Sequence, residues 1–274
     1  MQITLEELKA NVDKYIAMAE QQEIIITKDG EQTAKIVSSK FDRVAAFKSI
    51  LEEMSSGEVS DLASQLHIDE TASPALGFAA NLIGAHAGKE QGHADRMQSY
   101  LEVIIKALLE DDHYKKEVAS WDTPFFLLSA RLHDIGETAV PESFFKKVGD
   151  LSDAEYKEIK AHTDFGMEIV RQVKENLELD TLFHHAEVLA GSHHEKWDGT
   201  GYPLGLKADD IPLQGRIMAL VDVYDALTTT RPHREKKTHK EAVEIIRNSS
   251  GTHFDPGVVE AFLKYEDEFS KLGD

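Results

Sequence analysis

Helical periodicity dominates the chain from residue 76 onward and constrains its fold more than any other feature. Apolar residues recur there at the spacing of amphipathic helices. The segments concerned are 82–109, 124–133, 153–177, 181–194, 213–229, 239–248 and 256–269. Ser152 and Glu155 have the spacing of an N-terminal capping box ahead of the third segment. The pattern predicts a mainly α fold in which the helices pack as a bundle.

The distribution of histidine predicts that a separate module precedes this bundle. All 13 histidines lie at or after His67. Before that point, residues 8–19 have helical spacing, residues 23–27 form a β-branched run, and Asp29-Gly30 is a turn dipeptide ahead of a second run at 33–37. We therefore expect a small α/β module over residues 1–45, a linker helix and linker over 46–74, and the main domain over 75–270.

Composition excludes several classes of protein. The chain has no cysteine, which rules out disulfides and thiolate metal ligands. The first residues do not resemble a secretory signal, and no apolar run approaches the roughly 20 residues of a membrane span. A cytoplasmic protein without a membrane segment is expected. The net charge of −20 disfavours nucleic acid, although residues 231–240 hold five Lys/Arg and one acid, a local site for phosphates.

Two polar motifs predict a metal site. Residues 131–136 read Arg-Leu-His-Asp-Ile-Gly, and residues 193–203 read His-His-Glu-Lys-Trp-Asp-Gly-Thr-Gly-Tyr-Pro. His133 and Asp134 offer a nitrogen and an oxygen from adjacent positions, which suits a carboxylate that bridges two metal ions. Asp222 lies between Val221 and Val223 in an apolar helix, where an unpaired carboxylate is costly, so it is either a ligand or part of a salt bridge.

These motifs resemble the HD-GYP family of metal-dependent phosphodiesterases, over residues 74–269. Further matches lie at 212–216, 222–227 and 251–256. The resemblance implies an HD-type helical bundle that hydrolyses cyclic di-GMP, through a metal-bridging hydroxide, either to the linear dinucleotide pGpG alone or onward to GMP. It implies two iron or manganese ions, with ligands at His93, His133, Asp134, His162, His193, His194 and Asp222. Some members hold a third ion through a Glu that corresponds to Lys89 here; Glu90 is the nearby acid, either as a third-ion ligand or in a salt bridge.

The resemblance also suggests roles around the substrate. Arg231 and Arg234 match positions that hold phosphates, Lys196 is a further candidate contact, and Tyr202 either lines the pocket or packs in its turn. Asp134 and Asp225 are the predicted catalytic residues. Asp225 lies one helical turn after Asp222, where it either orients water or a ligand or completes a charge network.

One position departs from the family pattern. The family has Lys after His-Asp-Ile-Gly, where this chain has Glu137. The reversed charge calls for a compensating cation, for which Lys146, Lys147 and Lys196 are the candidates. The departure leaves three hypotheses open: a cyclic di-GMP phosphodiesterase, a phosphodiesterase for another cyclic dinucleotide, or a degenerate protein that binds a nucleotide and signals.

The N-terminal segment resembles the prevent-host-death antitoxin family at residues 24–30 and 34–37. In that family the module dimerises and contacts DNA. Residues 1–57 carry ten acids and seven bases here, a net charge of −3, which is unfavourable for duplex binding. We therefore expect the module to form a homodimer or a docking surface and not to bind DNA.

Overall fold

The computed structural model describes the backbone of residues 2–4, 24–28 and 31–36, and then residues 87–89, 92–147, 149, 151–174, 180–230 and 235–272. The chain divides into two units, Met1–Glu53 and Met54–Asp274. In the first unit, β1 (Gln2–Thr4) pairs in parallel with β2 (Ile24–Lys28), and β2 pairs antiparallel with β3 (Glu31–Ile36). The predicted helix and linker lie outside the described residues, so the complete α/β module stays a prediction.

The second unit is helical, as the periodicity predicts. Every regular element described after residue 86 is a helix. In chain order, the α-helices are α1 (His93–Leu108), α2 (Lys115–Val118), α3 (Thr123–Ala130), α4 (Glu142–Phe145), α5 (Asp153–Lys160), α6 (His162–Lys174), α7 (Asp180–Ser192), α8 (Leu213–Thr228), α9 (His239–Asn248), α10 (Pro256–Lys264) and α11 (Glu266–Leu272). Two 3-10 helices span Ile135–Ala139 and Ala208–Asp210. None of these described helices combines the length and the apolar character needed to cross a bilayer.

Local sequence signals set several helix starts. The predicted capping box of α5 is confirmed: Ser152 Oγ accepts from the Glu155 amide, and the Glu155 carboxylate accepts from the Ser152 amide. Thr238 and Glu241 make the same reciprocal pair at the start of α9. Each box satisfies two backbone donors that a helix start otherwise leaves without partners.

Three predicted helices are interrupted. The prediction of one helix over 82–109 is wrong at residues 87–89 and at Gly92, because Gly88 and Gly92 take left-handed φ angles of 68° and 84° and α1 begins at His93. The segment 153–177 divides into α5 and α6 at Ala161. The segment 256–269 divides at Tyr265.

The break at Tyr265 allows α11 to pack against the core. The core lies between α1 and α8 and is closed by α9, α10 and α11. Phe269 on α11 stacks on Tyr100 of α1, with ring centroids 5.0 Å apart, and meets Phe262 edge-on at 4.8 Å. Burying a ring of this size contributes about 1.5–3 kcal/mol. Phe269 also contacts Tyr224 of α8, with ring centroids 5.2 Å apart, so this packing joins α1 and α8, and both helices carry predicted metal ligands.

Candidate metal centre

The predicted ligands that the structure describes converge from five parts of the helical unit. His93 begins α1, His133 and Asp134 lie in the turn after α3, and His162 begins α6. The others are His193 and His194, directly after α7, and Asp222 on α8. Most of these residues lie at helix ends, where neighbouring turns of the same helix do not block the side chains from approaching one another.

Two donor groups share one carboxylate. The first group is Asp134, His162, His193 and His194, and the second is His93, His133 and Asp134; within each, the candidate donor atoms lie within 4.8 Å of one another. Asp134 Oδ1 lies 3.3 Å from His193 Nε2 and 3.6 Å from His162 Nε2, whereas Oδ2 lies 2.6 Å from His133 Nε2. The two oxygens of Asp134 therefore face different sets of imidazoles, as a carboxylate that bridges two ions must.

Hydrogen bonds fix which nitrogen of each imidazole faces the centre. The Nδ1 atoms of His133, His162 and His193 lie 2.7–2.8 Å from the backbone carbonyls of Ala130, Ile159 and Leu189. A carbonyl oxygen only accepts, so each Nδ1 carries the proton and each Nε2 presents a lone pair to the centre. Metal-binding histidines are held in this way by partners behind the ring.

Several donor atoms in the centre lack a protein partner. His93 Nε2 and Asp222 Oδ1 are buried without a hydrogen bond among the described residues, and the lone pair of His133 Nε2 faces Asp134 Oδ2 at 2.6 Å without a proton between them. His162 Nε2 and His193 Nε2 lie only 3.3 Å apart, although both present lone pairs. A buried polar atom without a partner costs about 1–3 kcal/mol, and a cation between these atoms removes that cost. The donor set of imidazole nitrogen and carboxylate oxygen therefore fits divalent transition metals.

Burial keeps three of the predicted ligand imidazoles neutral. Desolvation lowers the pKa of His93, lowers that of His162 to about 4, and lowers that of His194 well below its usual value. Burial alone would raise the pKa of the Asp134 carboxyl, but the Lys89 ammonium beside it helps to hold that pKa well below its ordinary value. At neutral pH the centre thus offers lone pairs and a carboxylate.

A close backbone approach places Asp134 against His162. A Cβ on Gly136 would lie 1.8 Å from the carbonyl oxygen of His162 and 2.5 Å from the amide nitrogen of Gly166. Any larger residue would push the 3-10 helix away from α6. Gly136 is therefore required where the two donor groups meet.

The cation that compensates the charge of Glu137 is Lys89, which the sequence analysis did not propose for this role. The Lys89 ammonium contacts Asp134 and lies 3.2 Å from Glu137 Oε2. All three side chains are at least nine-tenths buried. Burial and the charge of Asp134 raise the pKa of Glu137 to about 8, while Lys89 opposes the shift.

Two of the three lysines proposed for this role, Lys146 and Lys147, lie elsewhere. Lys146 pairs with Glu142 and Lys147 pairs with Glu155, each at 2.6 Å. The compensation that the sequence calls for is therefore present, but those two lysines do not supply it.

Asp225 contacts His93, a predicted metal ligand, through the ring nitrogen Nδ1. Its Oδ2 lies 2.8 Å from His93 Nδ1, and its Oδ1 accepts a hydrogen bond of 2.6 Å from Arg96 Nε. The side chain is buried, and the pair with Arg96 fixes its position. Of the alternatives open at the sequence level, this geometry favours orienting a ligand. Arg96, one helical turn after His93, was missed in the sequence, although its spacing is a usable signal.

We expect Asp225→Asn to weaken metal binding about 10- to 100-fold, because an amide holds His93 less firmly and does not enforce the tautomer with Nε2 free. Metal dissociation constants from chelator competition measure the effect. The matched control is Asp210→Asn, the same substitution at an exposed carboxylate. An unchanged metal affinity in a folded Asp225→Asn protein would contradict this role.

The loop after His194 places an aromatic ring at the centre. The Tyr202 ring stacks on His194, with centroids 4.8 Å apart and planes inclined by 26°. Glu195, missed as a functional residue although it lies within the motif, is 1% exposed and accepts hydrogen bonds of 2.8, 3.1 and 3.0 Å from the amides of Leu204, Gly205 and Leu206. Glu195 thereby positions the loop that carries Tyr202.

Three predicted site residues lie outside the described residues: Glu90, Arg231 and Arg234. Lys196 lies on the described loop and is partly exposed. The roles of these four residues stay predictions.

Comparison with known proteins decides the family. A family model described as HD domain matches residues 78–258. The chain belongs to the HD domain family. This confirms the resemblance at the level of the HD domain, and the mainly helical fold agrees with it.

Several proteins similar to this chain are named as cyclic dinucleotide phosphodiesterases. A probable cyclic di-GMP phosphodiesterase of Vibrio cholerae is 39% identical over 71% of this chain and 45% of its own length. A cyclic di-GMP phosphodiesterase of Thermotoga maritima is 42% identical over 53% of this chain and 38% of its own length. A 3'3'-cGAMP-specific phosphodiesterase of Vibrio cholerae is 34% identical over 69% of this chain and 34% of its own length. The chain thus spans less than half the length of these relatives.

Proposed function

We propose that this protein is a metal-dependent phosphodiesterase of the HD-GYP branch that opens a cyclic dinucleotide, with cyclic di-GMP as the first candidate. The observation that carries the proposal is the position of Asp134 between two groups of histidines whose Nε2 atoms face inward. The names of the HD domain relatives support a cyclic dinucleotide as the substrate class.

Two divalent ions, iron or manganese, are proposed as cofactors. When bound, such ions supply a hydroxide near neutral pH and stabilise negative charge on phosphoryl oxygens. His162, His193 and His194 would hold one ion and His93 and His133 the other, with Asp134 shared between them. Asp222 is proposed as a further ligand because its Oδ1 is buried without a partner. A third ion through Glu90 is not needed by this donor set.

The remaining residues of the site would position the substrate. Tyr202 closes one side of the centre through its stack on His194. Arg231, Arg234 and Lys196 are proposed as phosphate contacts, as the family resemblance implies. A homodimer through the N-terminal module and a cytoplasmic location also stay proposals.

A mixed cyclic dinucleotide is the second candidate substrate. At the position where the family has Lys, this chain has Glu137, and the nearby cation Lys89 is committed to Glu137 and Asp134. The charge presented to the substrate therefore differs from the family pattern. One of the relatives is named as specific for 3'3'-cGAMP.

Turnover of a substrate panel tests the proposal. Anaerobically purified protein, loaded with iron or manganese, is incubated with cyclic di-GMP and with 3'3'-cGAMP, and the products are resolved by chromatography. We expect a linear dinucleotide from at least one of them, and none from the double variant His133→Ala with Asp134→Ala. Metal-loaded protein that binds a cyclic dinucleotide but turns none over would leave a degenerate signalling protein as the function.

A further inference from the structure

A lysine without a carboxylate partner lies beside the metal centre. Lys160 Nζ lies 5.0 Å from the ring centroid of Tyr156 and 5.4 Å from that of Tyr202. Within the described part of the chain, no carboxylate pairs with this ammonium, whereas Lys89, Arg96 and Lys147 are all paired. In a chain of net charge −20, an ammonium held only by aromatic faces retains its capacity to bind an anion.

The backbone around Lys160 is tied to the metal centre. Lys160 is the last residue of α5, and the carbonyl of the preceding Ile159 accepts from His162 Nδ1 at 2.7 Å. The carbonyl of Lys160 itself accepts from Thr163 Oγ1 at 3.0 Å. The break between α5 and α6 therefore orients a metal ligand and Lys160 together. The Tyr202 ring contacts both the Lys160 ammonium and the His194 imidazole.

Tyr156 adds an exposed aromatic face to this position. It lies one helical turn before Lys160 on α5, and half of its surface is exposed. Exposed large apolar side chains are few in the described residues; another is Leu204, on the loop that carries Tyr202. An exposed aromatic ring next to a cation is the arrangement that binds a base and a phosphate, since every nucleobase offers a π face.

We propose that Tyr156, Lys160 and Tyr202 form a recognition subsite at the entrance of the metal centre. Lys160 binds the phosphate that is not being cleaved, and Tyr156 stacks on a nucleobase of the same ligand. This rests on the proposed function, since it assumes a ligand with two phosphates and a base. The ligand class is a cyclic dinucleotide, and the stacking does not select between guanine and adenine.

Binding without turnover tests the subsite. The probe is a phosphorothioate cyclic di-GMP that resists hydrolysis, titrated calorimetrically into metal-loaded protein. We expect Lys160→Gln to weaken binding about tenfold and Tyr156→Ala about tenfold, while Lys160→Arg stays within about threefold of the wild type. The matched control is Lys157→Gln, which removes the same charge from an exposed position on the same helix.

Steady-state kinetics separate recognition from chemistry. For metal-loaded Lys160→Gln and Tyr156→Ala, KM for cyclic di-GMP should rise about tenfold with little change in kcat, whereas the control Lys157→Gln should change neither constant.

The outcomes distinguish the subsite from the proposed function. Equal analogue binding by Lys160→Gln and the wild type would overturn the subsite, as would a wild type that does not bind the analogue. Wild-type turnover of cyclic di-GMP would leave the proposed function standing in either case. Wild-type protein that binds the analogue through Lys160 but hydrolyses nothing would overturn the function and support the subsite.

Discussion

Replacing Asp134 with alanine is expected to remove both metal ions and to lower turnover of the cyclic dinucleotide at least a thousandfold. One oxygen of Asp134 faces His162 and His193, and the other faces His133. Loss of this carboxylate therefore weakens both groups at once. A thousandfold loss corresponds to about 4 kcal/mol of transition-state stabilisation, within the several kcal/mol that metal ions contribute as Lewis acids. Elemental analysis gives the metal content, and chromatography of the products gives the turnover.

His93→Ala provides the informative contrast. His93 belongs to only one of the two donor groups, so this variant should lose one ion and retain the other. The matched control is His184→Ala, which removes an exposed imidazole outside both groups and should keep the full metal content. If Asp134→Ala retained as much metal as His93→Ala, Asp134 would not be the shared ligand.

Two adjacent pairs, His133-Asp134 and His193-His194, gave the sequence signal for a metal site. The other histidine ligands, His93 and His162, were predicted only through the family resemblance, because periodicity placed both inside longer helices whereas each one begins a helix in the structure. Residues that are adjacent in sequence stay close together in the fold, so their nitrogen and oxygen donors already indicate a metal site. The capping box of α5 was predictable for the same reason, since Ser152 and Glu155 satisfy each other within one turn.

Contacts between distant segments were not predictable. Lys89 meets Asp134 across 45 positions, and Arg96 meets Asp225 across 129. Sequence identifies these residues as charged but does not determine which opposite charge each one meets, because the pairing depends on how the helices pack. The break at Tyr265 has a similar origin, since Phe269 is placed by its stack on Tyr100 and not by a local breaker.

The pairing of Lys89 with Glu137 leads to the second large expected effect. At about pH 9, above the pKa of about 8 of Glu137, Lys89→Met should lower the free energy of unfolding of the metal-loaded protein by about 3 kcal/mol, because it leaves the ionised Glu137 carboxylate buried without its cation. The double variant Lys89→Met with Glu137→Gln removes both charges and should come within about 1 kcal/mol of the wild type. Urea denaturation of the four proteins of this double-mutant cycle gives the coupling energy.

An exposed pair of the same residue types supplies the control. Lys146 and Glu142 lie 2.6 Å apart, with 58% and 41% of their side chains exposed. The same two substitutions there should show a coupling of at most about 1 kcal/mol, since water screens the pair. A double variant at positions 89 and 137 that is as unstable as Lys89→Met alone would show that Lys89 does not stabilise Glu137. A large coupling confined to the buried pair would instead establish that the chain accommodates an acid at residue 137 by supplying its own cation from residue 89.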